Sequence, residues 1–341
     1  MKIFVTGGSG LLGNTILRRL AATPHESACL VRGEPDERVF GGLDAVVFSG
    51  DLDDRDCLDR AARWADVVIH SAGLIRLGWS QLDESMHVNR DGTRHVVEAC
   101  LKHDCRLLHV GTVNTLAVGS RKEIVDETTP LDHAGGQIPC SYVVSKRAGS
   151  DEVASGIARG LRAVLLHPGF MLGPWDWKPS SGRMMLEVGR RWKPIAPRGG
   201  CSVCDSRDVA DAIIAAIDAE VENGRHYILA GHNQTYYQLW TEIGKRFGKS
   251  KPIMPAGPLQ RAIGSIAGDA YRRLTGREPD TNSASVRMSS QYHWYDSTRA
   301  ASELGYQNRA ASETLDDAAD WIREHHLPNP GNAVNHFDEP F

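Results

Sequence analysis

Thr6-Gly7-Gly8-Ser9-Gly10-Leu11-Leu12-Gly13 follows the apolar run Ile3-Phe4-Val5 and precedes a helical stripe of Leu12, Ile16, Leu17 and Leu20 that stops before Pro24. Glycines spaced by three at a strand-to-helix junction constrain this chain more than any other feature. A side chain at these positions would hold a bound pyrophosphate off the backbone amides or keep the helix from closing on the strand. The helix N-terminus adds partial positive charge at the same point. Gly-rich turns also join strands and helices for steric reasons alone; the place of this one, at the first such junction, favours a phosphate turn.

Strand and helix patterns then alternate along the chain. Ala28–Val31, Ala45–Phe48, Val67–His70, Arg106–Val110, Ala163–His167 and Tyr227–Leu229 are short aliphatic runs separated by longer helical patterns, one carrying the stripe Val96, Val97, Leu101. The pattern predicts an α/β, Rossmann-type, doubly wound and mainly parallel sheet of about seven strands, each continuously apolar because buried on both faces. After His167-Pro168-Gly169 the regularity breaks around Pro174, Pro179, Pro194 and Pro197, and a smaller, mixed substrate region begins. The expected division is a dinucleotide-binding domain over 1–168 with 205–230 returning to it, a substrate region over 169–204 and 231–326, and a surface or mobile tail over 327–341.

With 341 residues, a net charge of −4 and no cluster of Lys and Arg to neutralise a phosphate backbone, nucleic acid is not an expected partner. No run reaches the ~20 apolar residues of a bilayer span, and Met1-Lys2-Ile3 leads directly into the first strand, so neither a membrane partner nor a secretory leader is expected and the predicted residence is cytoplasmic. Seven cysteines, an odd number, lie mostly in apolar patterns and predict no disulfides. Cys201 and Cys204 form one close pair, but a structural zinc site needs four ligands, so no metal is expected.

The second strand ends in Val31-Arg32-Gly33 with no acid before Glu34. An Arg there pairs with a 2′-phosphate, whereas an acid would accept from the ribose hydroxyls, so the cofactor expected is NADP, with NAD open through Glu34 or Asp36. Asp51 after the third strand suits either an adenine amino group or a turn. Tyr142 and Lys146 stand one helical turn apart, and an ammonium beside a phenol favours the phenolate. Thr112, just after the strand Leu107–Val110, lies at the carboxyl edge of the sheet, where its hydroxyl would hold a substrate oxygen near Tyr142; Asn114 and Thr115 compete for that role.

These residues fall in an order that resembles the extended short-chain dehydrogenase/reductase family: Thr6 to Gly13, Gly50-Asp51-Leu52, His70-Ser71-Ala72-Gly73, Asn89-x-x-Gly92-Thr93, Tyr142-x-x-x-Lys146 and His167 through Pro174. Val31-Arg32, the run Trp175–Arg183 and Arg207-Asp208-Val209-Ala210 are most similar to dihydroflavonol 4-reductase-like proteins. The resemblance implies Tyr142 as proton donor, Lys146 on the nicotinamide ribose and Thr112 as the orienting hydroxyl. It implies a cofactor held by Gly7, Gly10, Leu11, Leu12, Gly13, Arg32, Asp51, Leu52, Ser71, Ala72, Gly73, Asn89, Tyr142, Lys146 and Pro168. Two departures stand out, Gly111-Thr112 where the family has Ser-Ser and Gly73 where it has Ala. Family members often pair through two helices, so a homodimer is a further expectation.

The activity expected is therefore an NADP-dependent reductase interconverting a ketone or aldehyde and an alcohol. Its pocket would lie between Leu74–Gln81 and Phe170–Arg183, with Trp79, Trp175 and Trp177 either stacking on substrate or packing. Two rivals stand beside it. A sugar-nucleotide epimerase or dehydratase with tightly held NAD would use Arg183, Arg190, Arg191, Lys193 and Arg198 on the diphosphate. A catalytically silent dinucleotide sensor would keep the fold alone.

Overall fold

The computed structural model describes residues 1–327; the expected tail falls, from residue 328 on, outside them. Thirteen strands form among the described residues: β1 (Lys2–Thr6), β2 (Glu26–Val31), β3 (Ala45–Ser49), β4 (Val67–His70), β5 (Arg106–Val110), β6 (Ala163–Pro168), β7 (Phe170–Leu172), β8 (Ile195–Ala196), β9 (Gly200–Asp205), β10 (His226–Leu229), β11 (His232–Thr235), β12 (Met254–Pro255) and β13 (Tyr292–His293). Seven of them make one parallel sheet in the order β10-β6-β5-β4-β1-β2-β3.

The side-chain alternation of β1 explains the two helical layers. Ile3 and Val5 point to a core shared with Ile16, Leu17 and Ile213, while Phe4 points to the opposite one with Leu58, Val97 and Leu107. Both faces are covered, as a parallel sheet requires. The edge strand β3 departs from the expected pattern of full burial: Val46 and Val47 remain 51% and 39% exposed. An edge strand has only one neighbour, and nothing described covers this stretch of it.

After β1 the chain builds outward to β2 and β3, then returns to place β4 on the other side of β1. This is the topological switch point, where the loops leaving adjacent strands diverge and open a crevice. The turn after β1 and the loop after β4 form its two lips. A second, mixed sheet, β11-β9-β13 with β7 beside β9, packs its own core of Leu172, Met185, Leu239, Ile243 and Ile322. Cys201 and Cys204 are buried within β9, and burial raises both thiols well above their ordinary range. No helix among the described residues is long and apolar enough to cross a membrane.

Candidate active site

The glycine turn is shaped by close approach. Gly7 adopts φ +78°, and a Cβ there would lie 2.7 Å from the backbone nitrogen of Ala72; a Cβ on Gly13 would overlap the Gly7 carbonyl. Gly10 differs. It is exposed, its φ is −86°, and an added Cβ would meet nothing nearer than the Gly7 carbonyl at 3.4 Å. Two glycines are thus required by the fold itself, whereas Gly10 faces open space at the N-terminus of helix Leu11–Leu20. That helix has no side-chain cap and no acid in its first turn, so its leading N–H groups stay available to an anion. Leu11 and Leu12 turn into the protein, at 7% and 5% exposure. Asn14 pins the turn by donating to the Gly8 carbonyl at 3.2 Å and the Val39 carbonyl at 3.0 Å.

This arrangement separates shape from binding. Gly10→Ala should leave the urea midpoint within ~0.5 kcal/mol of the parent, because the methyl is unopposed in the free protein. NADPH affinity, read by fluorescence titration, should fall about tenfold or more, because the methyl occupies the phosphate's approach. Unchanged affinity would mean that phosphate does not bind here.

Beyond the turn, Arg32 is exposed at the end of β2, and among the described residues it pairs with no carboxylate; Asp36 is held by Arg38 at 2.7 Å. Asp51 is exposed and accepts from the backbone nitrogens of Asp53 at 2.9 Å and Asp54 at 3.1 Å, the geometry of a turn. Leu52 lies against Gly92, where a Cβ would come within 2.7 Å of its Cδ1.

On the other lip, Ala72 N–H donates to the Thr6 hydroxyl at 3.2 Å, which closes the loop after β4 onto β1 and leaves Ser71 half-buried between them. Asn89, 2% exposed in a single π-helical turn, clamps the same loop. It accepts from Leu74 N–H at 2.7 Å and donates to the Leu74 carbonyl and the Ser145 hydroxyl, each at 2.9 Å. A Cβ on Gly73 would stand 3.2 Å from Asn89 Oδ1 and 3.5 Å from Lys146 Nζ. Glycine where the family has alanine therefore leaves slack beside the lysine.

Tyr142 and Lys146 occupy the first two turns of helix Ser141–Ala158. The helix start is fastened to the loop after β4, with Ser141 N–H donating to the Gly78 carbonyl at 2.9 Å and Tyr142 N–H to the Arg76 carbonyl at 3.2 Å. Tyr142 packs with Ile138, Cys140, Val143, Ala284 and Met288, and its phenol meets Thr112, itself 6% exposed. Burial raises the phenol above its ordinary range and the Thr112 hydroxyl works against that rise. The lowering expected from Lys146 is not found in this arrangement, because its ammonium is turned away and donates to the Val110 carbonyl at 2.9 Å. Burial also brings Lys146 down to about 8. The Thr112 carbonyl accepts from Thr115 Oγ1 at 2.8 Å, and the Thr112 Oγ1 accepts from Asn114 N–H at 3.3 Å. Pro168 closes β6, next to β10.

The tryptophans divide. Trp79 borders the Tyr142 cluster and donates from Nε1 to Ser283 at 2.8 Å. Trp177 instead lies near the glycine turn, with Nε1 3.4 Å from Asn14 Oδ1 and its ring edge-on to Trp321, and Trp175 stacks under Arg18.

A row of histidines near the ends of neighbouring strands went unread in the sequence. His70 and His109 are register partners on β4 and β5 with rings 5.6 Å apart, and His167 on β6 stacks on His226 of β10 with nitrogens at 2.9 Å. The Thr93 hydroxyl donates its proton to the Asn89 carbonyl at 2.7 Å, so it accepts from His70 Nε2–H at 2.9 Å, and His70 Nδ1 accepts from the Thr6 hydroxyl at 2.7 Å; the network assigns this tautomer. His109 is fully buried, and neither ring nitrogen has a hydrogen-bond partner among the described residues. The row also accounts for Gly111, since a Cβ there would stand 2.6 Å from His167 Nδ1. One histidine near the end of each of three apolar runs was the available signal.

The sequence profile of the NAD dependent epimerase/dehydratase family matches residues 3–230. Sterol demethylase protein B of Methylococcus capsulatus is 26% identical over 95% of this chain and 99% of its own length. A Synechocystis protein provisionally named dihydroflavonol 4-reductase is 27% identical over 94% of each, and the 2-alkyl-3-oxoalkanoate reductase of Stenotrophomonas maltophilia is 24% identical over 92% of this chain and 96% of its own. Among solved structures, gox2253 superposes with a TM-score of 0.82 at 28% identity, covering 96% of this chain and 99% of its own. A nucleoside-diphosphate-sugar epimerase from Pseudomonas aeruginosa gives a TM-score of 0.77 at 24% identity over the same shares, a likeness of fold. The crevice, its glycine turn and the matched profile converge: the chain belongs to the NAD dependent epimerase/dehydratase family and is an NAD(P)-dependent oxidoreductase of the extended short-chain dehydrogenase/reductase type.

Proposed function

We propose that this oxidoreductase is an NADP-dependent reductase that interconverts a ketone or aldehyde and its alcohol, with Tyr142 as the proton donor. The observation that carries the reading is the convergence of Tyr142, Thr112 and Lys146 at the carboxyl edge of β5. The residues fit a dinucleotide: Gly10 leaves the helix N-terminus open, Arg32 is exposed and meets no carboxylate among the described residues, and Lys146 beside Gly73 lies at the crevice. When bound, the reduced nicotinamide supplies the hydride. Thr112 orients the substrate carbonyl by donating a hydrogen bond to its oxygen, and Tyr142 delivers its phenolic proton to the alkoxide. Lys146, its amine redirected from the Val110 carbonyl to the cofactor ribose and the phenolate, stabilises the charge left on Tyr142.

Three of the five basic residues that would serve a nucleoside diphosphate are otherwise engaged: Arg183 with Asp280 at 2.7 Å, Arg190 with Glu187 at 3.9 Å and Lys193 with Glu187 at 3.1 Å. That favours a carbonyl reductase over an epimerase. Relatives named for sterol and alkyl-oxoalkanoate chemistry support an apolar substrate body. The test is NADPH and NADH consumption against a carbonyl panel, where no turnover and no binding of either would end the reading.

Cofactor choice is tested at Arg32. A guanidinium on the 2′-phosphate is a charge-assisted contact of about 1.5–3 kcal/mol. Arg32→Ala should raise the KM for NADPH roughly 10- to 100-fold and leave that for NADH nearly unchanged. Equal changes for both would remove Arg32 from the phosphate site.

A further inference from the structure

The helix Pro258–Thr275 is turned inside out. Its small and polar side, with Gly264 and Gly268, faces residues 281–286, and a Cβ on Gly268 would overlap the Thr281 carbonyl. Its apolar side faces water: Leu259 is 68% exposed, Ile263 58%, Ile266 69% and Leu274 86%, at spacings that set them in one stripe. Ile253 and Met254, a few residues before the helix, are exposed as well, at 64% and 46%. A helix of a water-soluble surface buries such a stripe; a contiguous exposed one marks a contact.

Charge identifies the contact. Between residues 249 and 277 Lys249, Lys251, Arg261, Arg272, Arg273 and Arg277 accompany one carboxylate, Asp269, in a chain whose net charge is −4. Among the described residues only Arg272 of these six lies within ion-pair distance of a carboxylate, Glu278 at 3.7 Å. Arg261 and Arg272 lie on the helix side opposite the stripe, but Arg273 stands at its edge, and Lys249, Lys251 and Arg277 flank the helix ends. An apolar stripe with these cations beside it fits the boundary of an anionic bilayer, where the aliphatic side chains enter the acyl region and the cations meet headgroups. A second copy of this chain would bring the same cations face to face.

We infer that helix Pro258–Thr275, with Ile253 and Met254, is a docking surface for anionic membranes, lying in the interface rather than spanning it. The expectation of no membrane partner considered spans alone; an interfacial helix needs none. The surface adjoins the site. Glu278 accepts from the backbone nitrogens of Trp79 at 3.2 Å and Ser80 at 3.0 Å, and Asn282 donates to the Leu77 carbonyl at 2.9 Å. The loop so held is the one to which Tyr142 is fastened. Resting on the carbonyl-reductase reading, the consequence is that the substrate is a lipid-soluble carbonyl taken up from the bilayer.

The test is flotation of the full chain with vesicles of phosphatidylcholine alone or mixed with phosphatidylglycerol. Binding to the mixed vesicles, weakened by salt, is expected. Ile263→Glu with Ile266→Glu should lower the partition coefficient at least ~tenfold, and Arg273→Glu with Arg277→Glu about tenfold or more on mixed vesicles. NADPH binding, unchanged in both, reports an intact fold. No flotation with either vesicle, or undiminished flotation of the isoleucine variant, overturns the inference, as does a concentration-dependent dimer that this variant dissolves. In the substrate arm both variants should keep turnover of a water-soluble carbonyl while losing that of a bilayer-held ketone; equal retention of both overturns uptake from the bilayer. Flotation is read without substrate, so if no carbonyl is reduced the functional reading fails while the docking result stands.

Discussion

Tyr142→Phe is expected to lower kcat for carbonyl reduction by about 10²- to 10⁴-fold, the range of a positioned general acid, with little change in NADPH affinity. The substitution removes one oxygen and keeps the ring that packs with Ile138, Cys140, Val143, Ala284 and Met288. Burial has already driven the phenol toward its protonated form, so the group is a stored acid at neutral pH. Removing it leaves Thr112 able to orient a carbonyl but nothing to protonate the product. Thr112→Val should cost less, about 10- to 100-fold, because orientation by the rest of the pocket survives. Steady-state assays beside urea unfolding separate the chemistry from the fold. Equal turnover by Tyr142→Phe and the parent would exclude Tyr142 as donor and revive the silent sensor.

That residue set was legible because each member obeys a local rule. The glycine turn sits where β1 meets a helix, Tyr142 and Lys146 share a helix face, and Thr112 follows an apolar strand. Register carries no such mark. His70 and His109 become neighbours only because β4 and β5 pair at those positions, so neither the histidine row nor the dependence of Gly111 on His167 could be read from spacing. Trp175 and Trp177 looked equivalent to Trp79, but the chain after β7 carries them to the glycine turn. The period of helix Pro258–Thr275 was likewise visible in principle, yet periodicity does not say which face a helix buries. Close approach at Gly268 decides that.

Four buried histidines, His70, His109 and His167 of the row together with His293 on β13, carry the second large effect, a steep loss of stability in mild acid. Burial holds His70 and His167 near 3, His293 near 4 and His109 well below its ordinary value; repulsion from Lys146 adds to this at His70 and His109. The folded protein therefore keeps four imidazoles neutral at a pH where the unfolded chain, with ordinary histidines near 6.5, binds protons. The unfolded state gains more protons, so this stability is fully present above about pH 6.5 and is lost as pH falls toward the folded values. At about 1.4 kcal/mol per proton and pH unit, four groups cost roughly 8 kcal/mol between pH 7.5 and pH 5. Asp176 opposes them, because burial raises its carboxyl to about 6 and the folded state takes up that proton first, but one group offsets only about 1.4 kcal/mol. Lys146, near 8, is already protonated in both states below pH 7 and adds little slope there. A remaining loss of about 6.6 kcal/mol matches the whole stability of many domains, so urea midpoints should collapse near pH 5. His109→Met should flatten the dependence by about one proton, since that ring has no hydrogen-bond partner to lose. A midpoint constant to pH 5 would mean the imidazoles charge in place. Their neutrality leaves Lys146 as the charged group that His70, His109 and His167 face near the carboxyl edge of β5, so the cation stands among rings that carry no charge of their own.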